Sequence, residues 1–556
     1  MTLLGVAAGP AEAETTQERR ATVFYTGAIG GTLEPCGCTS DPLGDVARFT
    51  GVVRRAGAPD RVLVVDAGNL LYPTASVAPA LAEGADLRAA FLAKELSKLP
   101  FGGSALGELD VARGLERVSP KRLAANLRPP ADSPALALGG VRTVGGIKIG
   151  LLGLADPKLG KALGWQSDDP AATAEKEAAR LRAQGAEIVI ALGAFERPLA
   201  RQVARTGAVD IVVLGQNTDD GMVRADRVGD TFIVAPADEL ERIGRIDLVV
   251  REAAGARVRL VDAGGEAARE FERTNLEKRR TQLEAELASF AADKEADPGF
   301  VAQKRGERDQ VAKRLTELSG GFAPPATGSY FLNQLIPLRR VLPRDPQLAA
   351  ALRRLDQQVG AANLRKALPP PPAPEGRASF VGDASCVSCH KPAMAFWKTT
   401  VHARAWKTIV DDGKTGFGDC VSCHVTGYGE VGGSSLGHVK GLTNVQCETC
   451  HGPGSLHVKA EGLEEPPAVR LSTPEATCVR CHNEKHSDTF AFAAYMRDVL
   501  GPGHGAAARK KLGPGPTGRE LRAAAKAKAV VAAKETVKAA RGEPVGPTKG
   551  TGARSN

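Results

Sequence analysis

Eight of the ten cysteines in this chain lie in four copies of one motif, Cys-x-x-Cys-His. The copies are Cys386-Val-Ser-Cys389-His390, Cys420-Val-Ser-Cys423-His424, Cys447-Glu-Thr-Cys450-His451 and Cys478-Val-Arg-Cys481-His482. In this pattern two thiols bond covalently to the vinyl groups of a haem, and the adjacent histidine becomes the proximal iron ligand. Zinc modules and redox dithiols also use Cys-x-x-Cys pairs, but a histidine directly after all four pairs fits neither. We therefore expect four covalently bound haem c groups.

Histidine usage points to the same chemistry, because all nine histidines lie at or beyond position 390. Besides the four proximal residues, the chain has five more: His402, His438, His457, His486 and His504. Low-spin electron-transfer haems have a second strong axial ligand, so this surplus predicts a distal set. Five candidates serve at most four irons. His402 and His457 have the most support, and His486 and His504 the least.

Four stretches of this region resemble the multihaem cytochromes of the cytochrome c-554 type. They are Phe380 to His390 (FVGDASCVSCH), Trp397 to Ala403 (WKTTVHA), Cys420 to Gly427 (CVSCHVTG) and Val445 to His457 (VQCETCHGPGSLH). The resemblance implies electron transfer by stacked, mostly bis-histidine haems, and it supports His402 and His457 as distal ligands. One haem can lack a distal ligand in that family, and the resemblance does not locate it here.

Residues 22 to about 262 alternate short apolar runs with amphipathic segments, which predicts a layered α/β sandwich. The predicted strands are Val62 to Asp66, Ile147 to Leu154, Glu187 to Leu192, Asp210 to Leu214 and Phe232 to Ala235. Predicted helices include Leu87 to Ser97 and Ala171 to Ala183.

This α/β region resembles the metallophosphoesterase domain of the 5′-nucleotidase type. The matching stretches are Phe24 to Pro35 (FYTGAIGGTLEP), Val64 to Leu70 (VVDAGNL), Gly107 to Gly114 (GELDVARG), Ala125-Asn126-Leu127, Gly146 to Leu154 (GIKIGLLGL) and Asp210 to Thr218 (DIVVLGQNT). Enzymes of that family hold two metal ions with aspartate, asparagine and histidine ligands. The corresponding positions here are Ala28, Gly30, Asn69, Leu106, Gly107, Ala194, Gln216 and Thr218. Two-metal hydrolysis needs charged oxygen and imidazole ligands, so we expect no dimetal site and no phosphatase activity.

The two remaining cysteines form Cys36-Gly37-Cys38, directly after the stretch Phe24 to Pro35. Three interpretations stay open: a structural disulfide or buried thiols, a redox-active pair, and an additional metal site. A disulfide across one residue needs a tight turn, which Gly37 permits because it has no side chain.

The rest of the chain divides by composition. We expect a signal-peptide remnant and flexible N-terminus over 1–20, since Ala11-Glu12-Ala13 follows an apolar run; the alternative is an ordinary flexible N-terminus. We then expect the α/β domain over 21–265 and a charged helical hairpin over 266–320. A connecting segment follows over 321–378 and includes the proline run 369–374, and the haem domain follows over 379–505. The tail over 506–556 carries twelve Lys or Arg and three Asp or Glu, which accounts for the net charge of +9. We expect this tail to be disordered or weakly helical, with an anionic surface as one partner.

Two function classes compete. The first is an extracytoplasmic, for example periplasmic, electron carrier with no catalytic residues, in which the α/β domain docks redox partner proteins. The second is a multihaem reductase acting at an open-coordinate haem or at Cys36 and Cys38. We favour the carrier and expect no nucleic-acid partner. No stretch approaches the roughly 18 apolar residues of a membrane span.

Overall fold

The computed structural model describes residues 18–114, 121–133, 136–216, 219–264, 266–292, 297–319, 325–463 and 468–541. Most of the predicted signal-peptide remnant, position Thr218 and the end of the tail therefore lie outside the described residues.

Fifteen strands are present in the described chain. They are β1 (Arg19–Thr26), β2 (Val62–Asp66), β3 (Phe101–Ala105), β4 (Arg122–Leu123), β5 (Leu127–Arg128), β6 (Gly139–Val144), β7 (Ile147–Ala155), β8 (Gln166–Ser167), β9 (Ile188–Ala194), β10 (Ile211–Leu214), β11 (Asp226–Val228), β12 (Thr231–Val234), β13 (Arg242–Val250), β14 (Leu260–Asp262) and β15 (Ser329–Pro337). One sheet has the order β14-β15-β13-β1-β2-β3-β4, a second has β11-β12-β10-β9-β7-β6, and β5 pairs with β8.

Seventeen α-helices accompany these strands in the same residues. They are α1 (Val46–Arg55), α2 (Ala82–Ser97), α3 (Pro157–Leu163), α4 (Pro170–Ala183), α5 (Arg197–Arg205), α6 (Glu266–Ala292), α7 (Pro298–Ser319), α8 (Pro346–Arg365), α9 (Lys391–Trp397), α10 (Ala405–Asp411), α11 (Gly418–His424), α12 (Cys447–His451), α13 (Ser455–Lys459), α14 (Glu475–Cys478), α15 (Phe492–Val499), α16 (Ala506–Lys511) and α17 (Gly518–Arg541). As for membrane insertion, none of the described helices combines the length and the apolar character of a transmembrane span.

The two large sheets pack face to face, with helices on their outer faces. In β1, Val23 and Tyr25 point into the apolar cluster between the sheets, while Phe24 points into the cluster formed with α1, α2 and α8. A strand buried on both faces carries apolar residues without alternation, as β2 and β9 do. This confirms the predicted layered α/β sandwich, and β2 has the predicted bounds.

Asp-Pro pairs begin three of the helices that cover these sheets. The carboxylates of Asp156, Asp169 and Asp345 each accept a hydrogen bond from a backbone N–H in the first turn of α3, α4 and α8. Proline at the first helical position costs nothing there, because its missing N–H would have no partner within the helix. The Asp-Pro pairs in the sequence therefore mark where these three helices begin.

The predicted connecting segment over 321–378 needs correction. Its strand β15 lies inside the seven-stranded sheet, antiparallel to β13 and parallel to β14. Phe331 and Ile336 are fully buried there, and α8 packs against α2. This stretch thus completes the α/β domain, and only the proline run 369–374, which has no helix or strand, remains as a linker.

Helices α6 and α7 pack on each other as a charged pair. Arg279 contacts Glu307 at 2.6 Å and Lys304 contacts Glu286 at 3.0 Å. Leu283 on α6 is fully buried.

The tail, for which we expected a disordered or weakly helical extension, is helical and packed over much of its described part. Residues Gly518–Arg541 form α17, a helix that packs against β15 and α15. Thr536 and Ala539 are buried, and Arg339 donates to the Thr536 hydroxyl at 3.0 Å. Sequence periodicity did not reveal this contact, because α17 buries small residues rather than a stripe of large apolar ones.

Candidate functional site

Each Cys-x-x-Cys-His motif forms about one helical turn. The second and third motifs lie in α11 and α12, and the fourth runs from the end of α14 to His482. In the first motif the His390 N–H donates to the Cys386 carbonyl at 3.0 Å, and in the fourth His482 donates to Cys478 at 2.8 Å. Residues three apart are neighbours on a helical turn, so both thiols of a motif can reach one ligand edge with the histidine beside them.

The attachment thiols of different motifs meet in two pairs. The thiol of Cys386 is in hydrogen-bond contact with that of Cys447, which raises the pKa of Cys386. Likewise Cys481 donates to Cys423, and this hydrogen bond lowers the pKa of the Cys423 thiol to about 6. The first motif is therefore adjacent to the third, and the second to the fourth.

Two proximal histidines face two of the distal candidates. The ring centroids of His390 and His457 are 6.3 Å apart with an interplanar angle of 28°, and those of His402 and His482 are 6.1 Å apart. Imidazole nitrogens bind metal ions at about 2 Å, so two rings on opposite sides of one iron have centroids roughly 6 Å apart. These residues fit a haem iron with imidazole on both faces.

Burial keeps the second of these pairs neutral. It lowers the pKa of His402, and it also lowers the pKa of His482 to about 4, with smaller contributions from the neighbouring His402 and Arg522. Neutral imidazole is the form that binds a metal ion.

The second nitrogen of several proximal rings has a partner. Nδ1 of His424 lies 2.5 Å from the Ala405 carbonyl, and Nδ1 of His451 lies 2.8 Å from that of Arg470. Nδ1 of His482 lies 3.1 Å from the Ser487 hydroxyl. A proton held on Nδ1 leaves Nε2 with its lone pair free for a metal, and it fixes the orientation of the ring.

The other three distal candidates are placed differently. Burial, and to a smaller extent the nearby His451, lowers the pKa of His504, so these two imidazoles lie within electrostatic range. His438 is exposed, and Nδ1 of His486 lies 2.7 Å from the Asn483 side chain. Within the described chain no histidine ring is stacked opposite His424. The sequence had given His504 little support, because nothing local marks its position next to the third motif.

In the α/β domain, a buried ion pair lies beside the position of the family's metal site. Arg122, 1% exposed, contacts Asp110 at 3.1 Å, and Asp110 also accepts from the backbone N–H groups of Leu70 and Gly107, both at 2.9 Å. Asp66 accepts hydrogen bonds from the Thr26 hydroxyl at 2.8 Å, from Ser104 and from a backbone N–H. Sequence reasoning missed Arg122.

The amide at the bridging-ligand position is also engaged by the backbone. The side-chain oxygen of Asn69 accepts a hydrogen bond from the Leu109 N–H at 3.0 Å. Across the described residues, no three histidine, cysteine or carboxylate side chains gather in a form that could hold a metal ion.

Cys36 and Cys38 are side by side on the surface of this domain. Their sulfurs are 2.7 Å apart, and the Cys38 N–H donates to the Cys36 carbonyl across a tight turn. The hydrogen bond between the thiols lowers the pKa of Cys36 to about 7 and raises that of Cys38. The thiols of Cys420 and Cys423 lie close enough to act electrostatically on Cys38, and Cys423 also acts on Cys36. The structure therefore brings this pair to the second haem-attachment motif.

Comparison with known proteins finds a similarity in the C-terminal region. Residues 385–452 match the model of the family described as cytochrome c554 and c-prime. Cytochrome c-554 of Nitrosomonas europaea is 41% identical over 93 residues, which cover 14% of this chain and 40% of the relative. The chain thus spans about 40% of the length of that curated relative. The region that carries the first three motifs is therefore similar in sequence to this family of cytochromes.

Solved structures resemble the N-terminal region. A 5′-nucleotidase precursor from Thermus thermophilus gives a TM-score of 0.36 at 20% identity, covering 43% of this chain and 52% of that chain. A calcineurin-like phosphoesterase from Bacillus subtilis gives a TM-score of 0.34 at 15% identity, and the match covers 43% of this chain and 88% of that chain.

Proposed function

We propose that this chain is an extracytoplasmic tetrahaem c-type cytochrome that relays electrons between redox partner proteins. The observation that carries the proposal is the pairing of histidine rings beside Cys-x-x-Cys-His motifs, at the 6.3 and 6.1 Å separations that bis-imidazole iron requires. Haem c supplies reversible one-electron exchange between iron(II) and iron(III). Attachment of haem to thiols takes place after export, which supports a location outside the cytoplasm.

In this proposal His390 with His457, and His482 with His402, would hold iron from both faces. His504, which lies within electrostatic range of His451, would be the candidate second ligand for the third motif. The thiol contacts Cys386–Cys447 and Cys423–Cys481 bring the attachment points together in two pairs, so electron transfer within each pair covers a short distance.

The α/β domain acts in this proposal as a docking module without phosphatase activity. Its carboxylates Asp66 and Asp110 are used by Ser104, Arg122 and backbone N–H groups rather than left open for metal ions. The full chain should therefore neither bind manganese stoichiometrically nor release phosphate from a nucleoside monophosphate. Stoichiometric metal together with phosphate release would contradict this part of the proposal.

Exposed lysines of α17, including Lys526 and Lys528, offer a further contact for an anionic partner surface.

A second candidate function is reduction of a small molecule at the second motif. It is favoured by His424, which, like His451, has no histidine ring stacked opposite it in the described residues. Carbon monoxide or nitrite binding to the reduced protein would support this function, and a spectrum unchanged by both ligands would support relay alone.

Haem counting tests the main proposal. The full chain, matured in a host competent for c-type assembly, should have a mass that exceeds the polypeptide by four haems. Replacing Cys447 and Cys450 by alanine should remove one haem, whereas the control Cys36→Ser with Cys38→Ser should retain all four. Haem that acidified organic solvent extracts, or zinc in its place, would overturn the assignment.

A further inference from the structure

The loop that carries Cys36 and Cys38 is attached to the cytochrome region on both sides. Before it, Glu34 forms an ion pair with Lys414 at 3.6 Å. After it, the Ser40 N–H donates to the Asp488 carboxylate at 3.0 Å. Lys414 precedes the second haem-attachment motif by a few residues, and Asp488 follows the fourth. The loop therefore lies at the junction of these two motifs.

A third contact fixes the turn itself. Arg522 of α17 donates to the Cys38 carbonyl at 2.6 Å, so the C-terminal helix holds the loop from a different direction. The side chain of Arg340 lies on the open side of Gly37, where its Nη2 would be 3.5 Å from an added Cβ. Contacts from three parts of the chain thus converge on a surface loop of seven residues, from Glu34 to Ser40.

The two thiols differ in the way that exchange chemistry requires. Cys36 is exposed and Cys38 is half-buried. The hydrogen bond from Cys38 lowers the pKa of Cys36 to about 7, so a large fraction of Cys36 is thiolate near neutral pH. An exposed thiolate attacks a disulfide partner, and the adjacent thiol then resolves the mixed disulfide. A structural thiol pair would need neither the exposure nor the asymmetry.

We propose that Cys36 and Cys38 form a two-electron redox site that takes electrons from the haem bound at Cys420 and Cys423 and passes them to a disulfide-containing partner. The inference rests on the proposed haem relay. In the oxidised site the two sulfurs are bonded to each other, and the structure places them side by side across Gly37.

The step balances with the groups named. The Cys36–Cys38 sulfur–sulfur bond breaks on accepting two electrons, two iron(II) centres of the relay become iron(III), and two protons come from solvent. In the second step the Cys36 thiolate attacks the partner disulfide and releases its first thiol. Cys38 then attacks the Cys36 sulfur of the mixed disulfide and displaces the partner's second thiol. The Cys36–Cys38 disulfide is then restored.

Reductive titration of the full haem-loaded chain tests this inference. Fully oxidised protein, titrated anaerobically with dithionite, should take up about six electron equivalents, four for the haems and two for the disulfide. The variant Cys36→Ser with Cys38→Ser should take up about four and retain its four haems. Alkylation followed by peptide mass spectrometry should find both thiols labelled after reduction and neither before.

Two matched variants test the route. Replacing Cys420 and Cys423 by alanine should prevent labelling of Cys36 and Cys38 under the same dithionite treatment, because the adjacent haem is missing. Replacing Cys386 and Cys389, which also removes one haem, should leave the labelling intact. Equal labelling in both variants would show direct reduction by dithionite and overturn the route.

The outcomes separate the two proposals. Fewer than four haems, or haems that dithionite does not reduce, would overturn the relay itself. Four reducible haems with uptake ending at four equivalents, or with thiols already free in the oxidised protein, would overturn only the redox role of Cys36 and Cys38.

Discussion

In the proposed relay, the histidine rings that face each other would decide how the haem irons behave. An iron with imidazole on both faces is low-spin and closed to added ligands, whereas an iron that lacks one imidazole is open to them. His457 faces His390, and His402 faces His482, while His486 has only the side chain of Asn483 at its Nδ1. Substitution should therefore separate the two kinds of histidine.

His457→Ala should convert one haem to a high-spin form that binds carbon monoxide, because the His390 iron loses its second imidazole. Electron paramagnetic resonance of the oxidised protein and visible spectra of the reduced protein with carbon monoxide measure this change. The matched control His486→Ala should leave both spectra as in the parent. A low-spin spectrum retained in full by His457→Ala would contradict the pairing.

The thiol of Cys36 should react with alkylating agents at a lower pH than the thiol of Cys38. Its pKa of about 7 means that it is protonated and slow below that pH and a reactive thiolate above it. In the reduced protein the alkylation rate of Cys36 should reach half its maximum near pH 7, while Cys38, whose pKa is raised, reacts only at much higher pH.

The control for this prediction removes the hydrogen-bond donor. In Cys38→Ala the half-maximum for Cys36 should move towards about 8.5, the value of an ordinary thiol. An unchanged profile would show that Cys38 does not set the reactivity of Cys36.

At the scale of elements, a buried carboxylate joins the start of the motif-bearing region to its third motif. Glu448 of α12, 4% exposed, accepts backbone hydrogen bonds from Val381 at 3.0 Å, Gly382 at 2.7 Å and Gly454 at 2.7 Å. The start of the cytochrome region is thereby tied to the third haem-attachment motif. The apolar cluster nearby is small, with Ile409, Val421, Val425 and Leu436 as its buried members. Hydrogen bonds such as those of Glu448 therefore contribute a larger share of the folding stability here than in the α/β domain.

Glu448→Gln should lower the free energy of unfolding by about 1–3 kcal/mol, because an amide offers one acceptor oxygen and turns a donor towards buried N–H groups. Guanidinium denaturation followed by Soret absorbance measures the change. The exposed Glu475→Gln is the control and should leave the midpoint where it is. Equal midpoints for both variants would mean that the three backbone bonds contribute nothing net.

At the scale of the whole molecule, α17 connects the two regions. Its Arg519 N–H donates to Asp498 of α15 at 2.9 Å, next to the cytochrome region. At its other end, Arg245 of β13 donates to the Ala540 carbonyl at 3.0 Å. One helix thus spans from the cytochrome region to the larger sheet, and its docking should be measurable as stability.

Ala539→Glu should destabilise the protein by about 2–4 kcal/mol, since it places an unpaired carboxylate where the side chain is 4% exposed. Denaturant unfolding followed by circular dichroism measures the loss, and limited proteolysis should release α17. Ala527→Glu, at an exposed position of the same helix, is the matched control and should unfold like the parent. Equal stability of the two variants would show that α17 is not docked in solution.

The parts of this protein that could be predicted from sequence are those that depend on neighbouring residues. A Cys-x-x-Cys-His motif is five residues long, and a buried strand such as β2 is a continuous apolar run, so both are visible locally. The α/β sandwich and the cytochrome type followed from such patterns. The predicted haem number and the distal ligands stay predictions.

Tertiary structure alone decided which distant residues meet. His402 and His482 are 80 positions apart, and Arg522 reaches the Cys38 carbonyl from 484 positions away. Such pairs depend on how the whole chain packs, and no local spacing encodes them. The same reason explains the misjudged tail: α17 docks through Thr536 and Ala539, whose small side chains carry no periodic apolar signal although the surface they meet buries them.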